Sequence, residues 1–327
     1  MNLFAKLRKL LRAALLGNPE LSRAFDLPIQ APQCEVSVWL HGTGAPRDVT
    51  TCHSVACSVP FTLCISGEGR APLNRRAALR FHERGGEKRL LGVIELQHEA
   101  VIPTGGPELH LYKAVACTNL CLPRLRHWVR SALVARAYSK DLASGRMAVS
   151  LLDNGCNEIF FFCPRPVALV SVQQAGRCNI FPMNLMGPVG QGYFVFALNS
   201  SKQGGTGSGA LVDLALSTIP FEYAEQVRQL GKNHHYHSID FDQLYFATQP
   251  SPKLGIPVPH FALAVRELRV EQTHCLGSHT FFIARILHRH VYQNAPEFHR
   301  IHGIYAAYRR KSGVGVPNCP KWQPGTS

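Results

Sequence analysis

The chain belongs to the mainly β class, and specifically to the β-barrels, on three observations. Short runs of β-branched and aromatic residues, bounded by Gly and Pro, recur along most of its 327 residues. Stretches with helical apolar spacing are few. No G-x-G-x-x-G follows a strand and opens a helix, so nothing supports a doubly wound dinucleotide fold.

The elements follow in order. Leu3, Leu7, Leu10, Leu11 and Ala14 fall on one helical face, with Lys6, Lys9 and Arg12 mostly opposite. The cations run on to Arg12 and leave too short an apolar segment for a signal peptide. The expected element is an amphipathic helix docked on its own domain. Strands are expected at 36–40, 49–54 and 61–66, then a basic loop with a short helix at 70–86, then strands at 90–96 and 109–117. Residues 123–143 predict a helix that buries Leu125, Trp128, Val129, Ala132 and Leu133. A boundary near 145–155 divides a first domain, 1–150, from a second, 151–327. The second half runs as strands at 159–162, 167–172, 193–198 and 211–217, a helix at 221–230, and paired strands at 261–271 and 280–288. His234, His235 and His237 are expected in a solvated loop.

Composition narrows the partners. Hydrophobic residues make up 46% of the chain, enough for sizeable cores. The formal net charge of +14 favours an anionic partner: nucleic acid, a membrane surface, or a phosphate-bearing small molecule. The cations are dispersed and no nucleic-acid-binding motif appears, so no nucleic-acid partner is expected. Eleven cysteines without a C-x-x-C pair indicate a reducing compartment, and the cytoplasm is the expected location. Cys52, His53, Cys57 and Cys64 match no strong zinc spacing, so no metal is expected. No apolar run approaches the ~20 residues of a membrane span.

The two halves echo each other. Without gaps, Glu95-Leu96 aligns with Glu267-Leu268, Glu99 with Glu271, and Gly105 with Gly277. The first domain therefore reads as a diverged copy of the second, and Pro107 falls where the second copy has His279.

The stretch Arg177 to Gln203 carries the chemistry. Between two strand-like runs, Asn179, Pro182 and Asn184 are interspersed with Ile180, Phe181, Met183, Leu185 and Met186. Two readings stay open: a loop set against a flat, partly polar ligand, or one packed on the core with its amides bonded to backbone.

In the order Val167…Asn179, then Asn179-Ile-Phe-Pro182-Met-Asn184-Leu, then Phe196-Ala-Leu-Asn-Ser-Ser-Lys202, then Glu267…Gly277-Ser-His279, the second half resembles the flavin reductase-like, FMN-binding split-barrel family. The resemblance covers about residues 158–289. It implies a six-stranded antiparallel Greek-key barrel, with FMN (or FAD) near a subunit interface and NAD(P)H as co-substrate. It implies a homodimer or, given the echo, an intrachain pseudo-dimer. By it, Asn179, Pro182, Met183 and Asn184 line the isoalloxazine, Ser200, Ser201 and Lys202 take the ribityl phosphate, and His279 stands beside flavin and nicotinamide. Ser278 replaces the family's usual Asp, and Asn184 stands where many members carry Ser or Thr. A His with its ordinary pKa would change charge in the working range. The activity implied is hydride transfer from NAD(P)H to flavin, with reduced flavin passed to a partner monooxygenase. The alternative is a flavin-binding or scaffolding protein without turnover.

Overall fold

The fold is taken from a computed structural model, which describes residues 24–29, 35–67, 75–84, 88–143, 148–174, 176–190, 192–200 and 213–311. The expected N-terminal helix, the tail beyond 311, and Ser201 and Lys202 lie outside the described residues.

The chain opens with β1 (Ala24–Ile29). The first large sheet comprises β2 (Val36–His41), β3 (Arg47–Asp48), β4 (His53–Ser58), β5 (Phe61–Gly67), β6 (Arg76–Glu83), β7 (Leu90–Ile102) and β8 (Glu108–Asn119). Helices α1 (Arg124–Ala143) and α2 (Leu151–Phe160) and the short β9 (Arg165–Pro166) follow. The second large sheet comprises β10 (Ala168–Gln174), β11 (Arg177–Met183), β12 (Met186–Pro188), β13 (Tyr193–Asn199), β14 (Asp213–Thr218), β17 (Ala264–Leu276) and β18 (His279–Val291). Between β14 and β17 an insertion carries α3 (Ala224–Gln229) and the hairpin β15 (Thr248–Pro250) and β16 (Pro257–Pro259). The last elements are β19 (Glu297–His302) and α4 (Gly303–Lys311).

The strand orders are β3-β2-β6-β7-β8-β5-β4 and β11-β10-β14-β17-β18-β13-β12. Matched one to one along the chain, they are the same curled antiparallel sheet built twice, and the fold is a pair of split barrels. The ungapped alignment holds at single-residue level. Register shifts fall at Glu95/Leu96 and His98/Ala100 in β7–β8, and at the aligned Glu267/Leu268 and Val270/Gln272 in β17–β18. Ile102 pairs with Leu109, and the aligned His274 pairs with Phe281. Bulges in matching places bend both long hairpins at the same points, which closes each sheet towards a barrel.

Alternation along β8 and β18 decides what meets what. His110 and Phe282 face their own barrel interiors, where Phe282 stacks on Phe196 with ring centroids 4.8 Å apart. Leu109, Leu111, Phe281 and Ile283 face outward instead, into one buried cluster shared by both barrels with Cys64, Val195 and Ala197. The cross-strand pairs Cys64/Leu111 and Val195/Ile283 hold the same place in their respective sheets. The barrels therefore pack through equivalent surfaces, as the subunits of a two-fold dimer do. The first barrel's core also takes in Cys156, Ile159 and Phe160 of α2, Phe25 and Leu27 of β1, Ile301 of β19, and Ile304 and Tyr305 of α4.

Several expectations are corrected. Residues 179–183 form a strand, not a loop. Pro182 is tolerated because β11 is an edge strand, whose outer face asks for no ladder donor. Residues 76–83 form β6 rather than a basic loop, since Ala77, Leu79 and Phe81 point inward while arginines alternate outward. Ile159 and Phe160 end a helix rather than start a strand: Ser150 accepts from the Asp153 backbone N–H at 3.0 Å and caps α2. Helix α1 forms where expected, but no residue in it is buried, and Trp128 is 69% exposed.

Candidate functional site

The residues implicated by the sequence fall into three places. Asn179 is fully buried on β11. Its amide donates to the carbonyls of Asn233 (3.0 Å) and Tyr236 (2.7 Å), and its oxygen accepts from the Ile180 N–H. Pro182 O lies 2.8 Å from Nε2 of the half-buried His234, whose ring rests on Phe181. These contacts tie β11 to the turn ahead of His235 and His237, both exposed. Met183 points into the second barrel's core.

Asn184 begins the tight link from β11 to β12 and lines a cavity of about 540 Å³. Helix α1 forms one wall with Arg130, Val134 and Ala137. Helix α2 forms a second with Asn154, Asn157 and Glu158, and β19 a third with Arg300, Ile301 and His302. The polar groups are held in place from within the protein. Glu158 Oε1 accepts from Arg130 Nε at 2.7 Å, from Arg130 Nη2, and from Asn154 Nδ2 at 2.7 Å. Arg300 Nε donates to Asp26 Oδ1 at 3.0 Å. Asp26 also accepts from Arg228. His302 Nδ1 accepts from the Ile304 N–H. Burial, and then the Arg130 charge, push the His302 pKa down to about 3, so its ring is neutral. The cavity thus joins three amides and two pre-aligned guanidinium groups to an apolar lining. Its volume is within the range of small-molecule sites.

His279 opens β18 at the junction of the barrels. Its Nδ1 lies 2.8 Å from Ser278 Oγ, 3.4 Å from Ser58 Oγ and 3.5 Å from the Ser58 backbone N–H, with Cys57 Sγ at 3.9 Å. Ser58 and Cys57 come from β4 of the other barrel. An N–H donating to Nδ1 makes that nitrogen the acceptor and leaves the ring proton on Nε2. Burial lowers the pKa to about 4, so this histidine stays neutral in the working range rather than titrating there. Gly277 makes the approach possible: its φ is +50°, and a Cβ there would lie 2.3 Å from Val59 O. Ser200 is exposed beside the same hairpin, its N–H donating to Ser278 O at 3.0 Å.

The structure therefore brings His279 and Ser200 together and sets Asn184 in a separate cavity. Sequence reading missed Arg130, Glu158, Arg300, Ser58 and Cys57. Arg130 carries no local signal, because its partner Glu158 lies on another helix. Cys57 showed only as a stray thiol. Among the described residues, no cluster of three or more His, Cys, Asp or Glu could hold a metal ion.

No family model matches the chain, and no curated protein matches it. Solved structures do match in part. The NADH:FAD oxidoreductase SgcE6 of Streptomyces globisporus C-1027 is 17% identical over 46% of this chain and 88% of its own, with a TM-score of 0.41. An FMN-binding protein from Thermus thermophilus is 23% identical over 39% of this chain and 72% of its own, with a TM-score of 0.34. Flavoredoxin from Methanosarcina acetivorans is 15% identical over 39% and 69%, with a TM-score of 0.33. At such identities and scores these are likenesses only. The split-barrel fold rests on this chain's own strand order, and in sequence its second half resembles the flavin reductase-like, FMN-binding family.

Proposed function

We propose that the chain binds a flavin nucleotide, FMN or FAD, and serves as an NAD(P)H:flavin oxidoreductase. The observation that carries this is the cavity at Asn184, which combines amides and guanidinium groups with an apolar wall. Those residue types fit the group. Asn184, Asn154 and Asn157 supply amide donors and acceptors for a heterocycle's edge. Val134, Ala137 and Ile301 cover a face, and Arg130 and Arg300 favour an anionic group. When bound, flavin supplies the hydride-accepting chemistry.

The protein's part is to bind and orient. Each guanidinium is fixed by a carboxylate before any ligand arrives, so less side-chain entropy is lost on binding. Neutral His279, with Nδ1 engaged by Ser58 and Ser278, lies apart from that cavity, and its part is to hold the junction of the two barrels. Ser200, with Ser201 and Lys202 next in sequence, stands beside His279 and apart from the Asn184 cavity, so the phosphate of a flavin in that cavity is assigned to Arg130 and Arg300. The walls of the cavity, α1, α2 and β19, have no second copy among the described residues, so one flavin per chain is expected. Delivery of reduced flavin to a monooxygenase in the cytoplasm completes this reading.

The test is the visible absorption spectrum of the purified protein, before and after NADH. Flavin bands that bleach support the reading, and bands that persist point to binding without turnover. Failure to retain added FMN or FAD overturns it. Asn184→Ala should weaken flavin binding by about 3–10-fold, the value of one hydrogen bond.

A further inference from the structure

Helix α1 carries a second apolar stripe, on the face it turns away from the protein. At 3.6 residues per turn, Arg130, Val134 and Ala137 share the face that walls the cavity, while Leu125, Trp128, Ala132 and Leu142 share the face turned away from it. Leu125 and Leu142 are each 62% exposed and Trp128 69%. Arg124 and Arg136 flank this outward stripe and Lys140 lies just beyond it. The helix's one acid, Asp141, sits on the cavity side. No residue of the helix is buried, so its apolar stripe contributes nothing to the protein's own core.

We propose that the outward face of α1 is a docking surface for an anionic lipid bilayer, on which the helix lies in the plane of the headgroups. Charge decides the occupant. A second copy of the chain would set Arg124, Arg136 and Lys140 against their own like charges, which opposes self-association. A net charge of +14 draws the whole molecule towards an anionic surface. The stripe is one convex helix face with a central Trp and flanking arginines. That is the composition of interfacial helices, whose aromatic rings sit at headgroup depth while long cations reach the phosphates. Docking would place the cavity on the far side of the helix from the bilayer, with α1 as the shared wall.

The test is co-sedimentation of the full chain with phosphatidylcholine vesicles, with and without phosphatidylserine. Binding to the anionic vesicles is expected, weakened by salt and accompanied by a blue shift of tryptophan fluorescence. Leu125→Ser/Trp128→Ser should weaken it by about a hundredfold, through the loss of two buried apolar groups. Arg124→Glu/Arg136→Glu should abolish the preference for anionic lipid. These positions are exposed, and unchanged circular dichroism verifies the fold. Three results would overturn the proposal: no binding to anionic vesicles, undiminished binding by the Leu125/Trp128 variant, or a wild-type dimer that this variant turns into a monomer. The last would show that a second copy covers the stripe.

Discussion

The two barrels share a strand order and a pair of bulges, yet they differ where chemistry or packing is decided. Inside the second, the cross-strand pair Phe196/Phe282 is stacked; inside the first, the equivalent pair is Ile65/His110. There His110 Nδ1 lies 3.1 Å from His98 Nε2, beside Tyr112. At the hairpin tips, Pro107 rests on Gly190, whereas His279 meets Ser58. The aligned acids Glu95 and Glu267 differ most. Glu95 is exposed, while Glu267 is fully buried and accepts from Ser251 Oγ at 2.6 Å and the Lys253 N–H at 3.0 Å, organising the insertion that the first barrel lacks. The same sheet thus accepts opposite roles for one residue, because strand pairing depends on backbone and alternation while each site depends on what is laid against it.

The contrast can be broken by acid, with the largest effect expected. His53, His299 and His302 are buried neutral in or beside the first barrel, where burial holds His53 well below its ordinary pKa, His299 at about 4 and His302 at about 3. The unfolded chain, with ordinary values near 6.5, binds more protons below that pH. Stability should hold above pH 6.5 and fall steadily towards pH 4, by on the order of 5 kcal/mol or more at ~1.4 kcal/mol per unit of depression. Hydrogen exchange across this range should show the first barrel losing protection before the second. Equal loss in both would remove the distinction.

Glu267→Ala should cost about 3–5 kcal/mol in denaturant unfolding, because the buried Ser251 hydroxyl and the Lys253 and Leu254 N–H groups lose their acceptor. Glu95→Ala should stay within ~0.5 kcal/mol. Comparable costs at the two positions would mean that the burial of Glu267 is not what separates them. Gly277→Ala should cost about 2–3 kcal/mol through its positive φ and the backbone of Val59, which cannot move aside easily. Gly105→Ala, whose Cβ would meet the hydroxyl end of Tyr193, should cost about 1 kcal/mol or less.

Much of this architecture was legible in the sequence. The ungapped match of Glu95 to Glu267 and Gly105 to Gly277 fixed the register of both long hairpins, since a bulged hairpin carries its period wherever it is copied. Other features were hidden for physical reasons. Pro182 and two asparagines read as a loop, because nothing local reveals that a strand lies at a sheet's edge. The stripe of α1 read as core, because spacing reports a face without saying which way it turns. The cavity at Asn184 draws on α1, α2 and β19, and no local pattern announces such a convergence. The serine contact to His279 joins residues from two barrels, which only the interface brings together.

That interface has a further consequence because both of its faces lie on one chain. Tethered halves meet at a local concentration on the order of millimolar, however dilute the protein is. The contact between Ser58 and His279 should therefore survive dilutions at which a two-chain assembly would come apart. In a homodimer, moreover, every substitution is made on both sides of the axis at once. Joining the copies removes that constraint, so a proline can stand on one side where a histidine is kept on the other, and each half is free to drift alone.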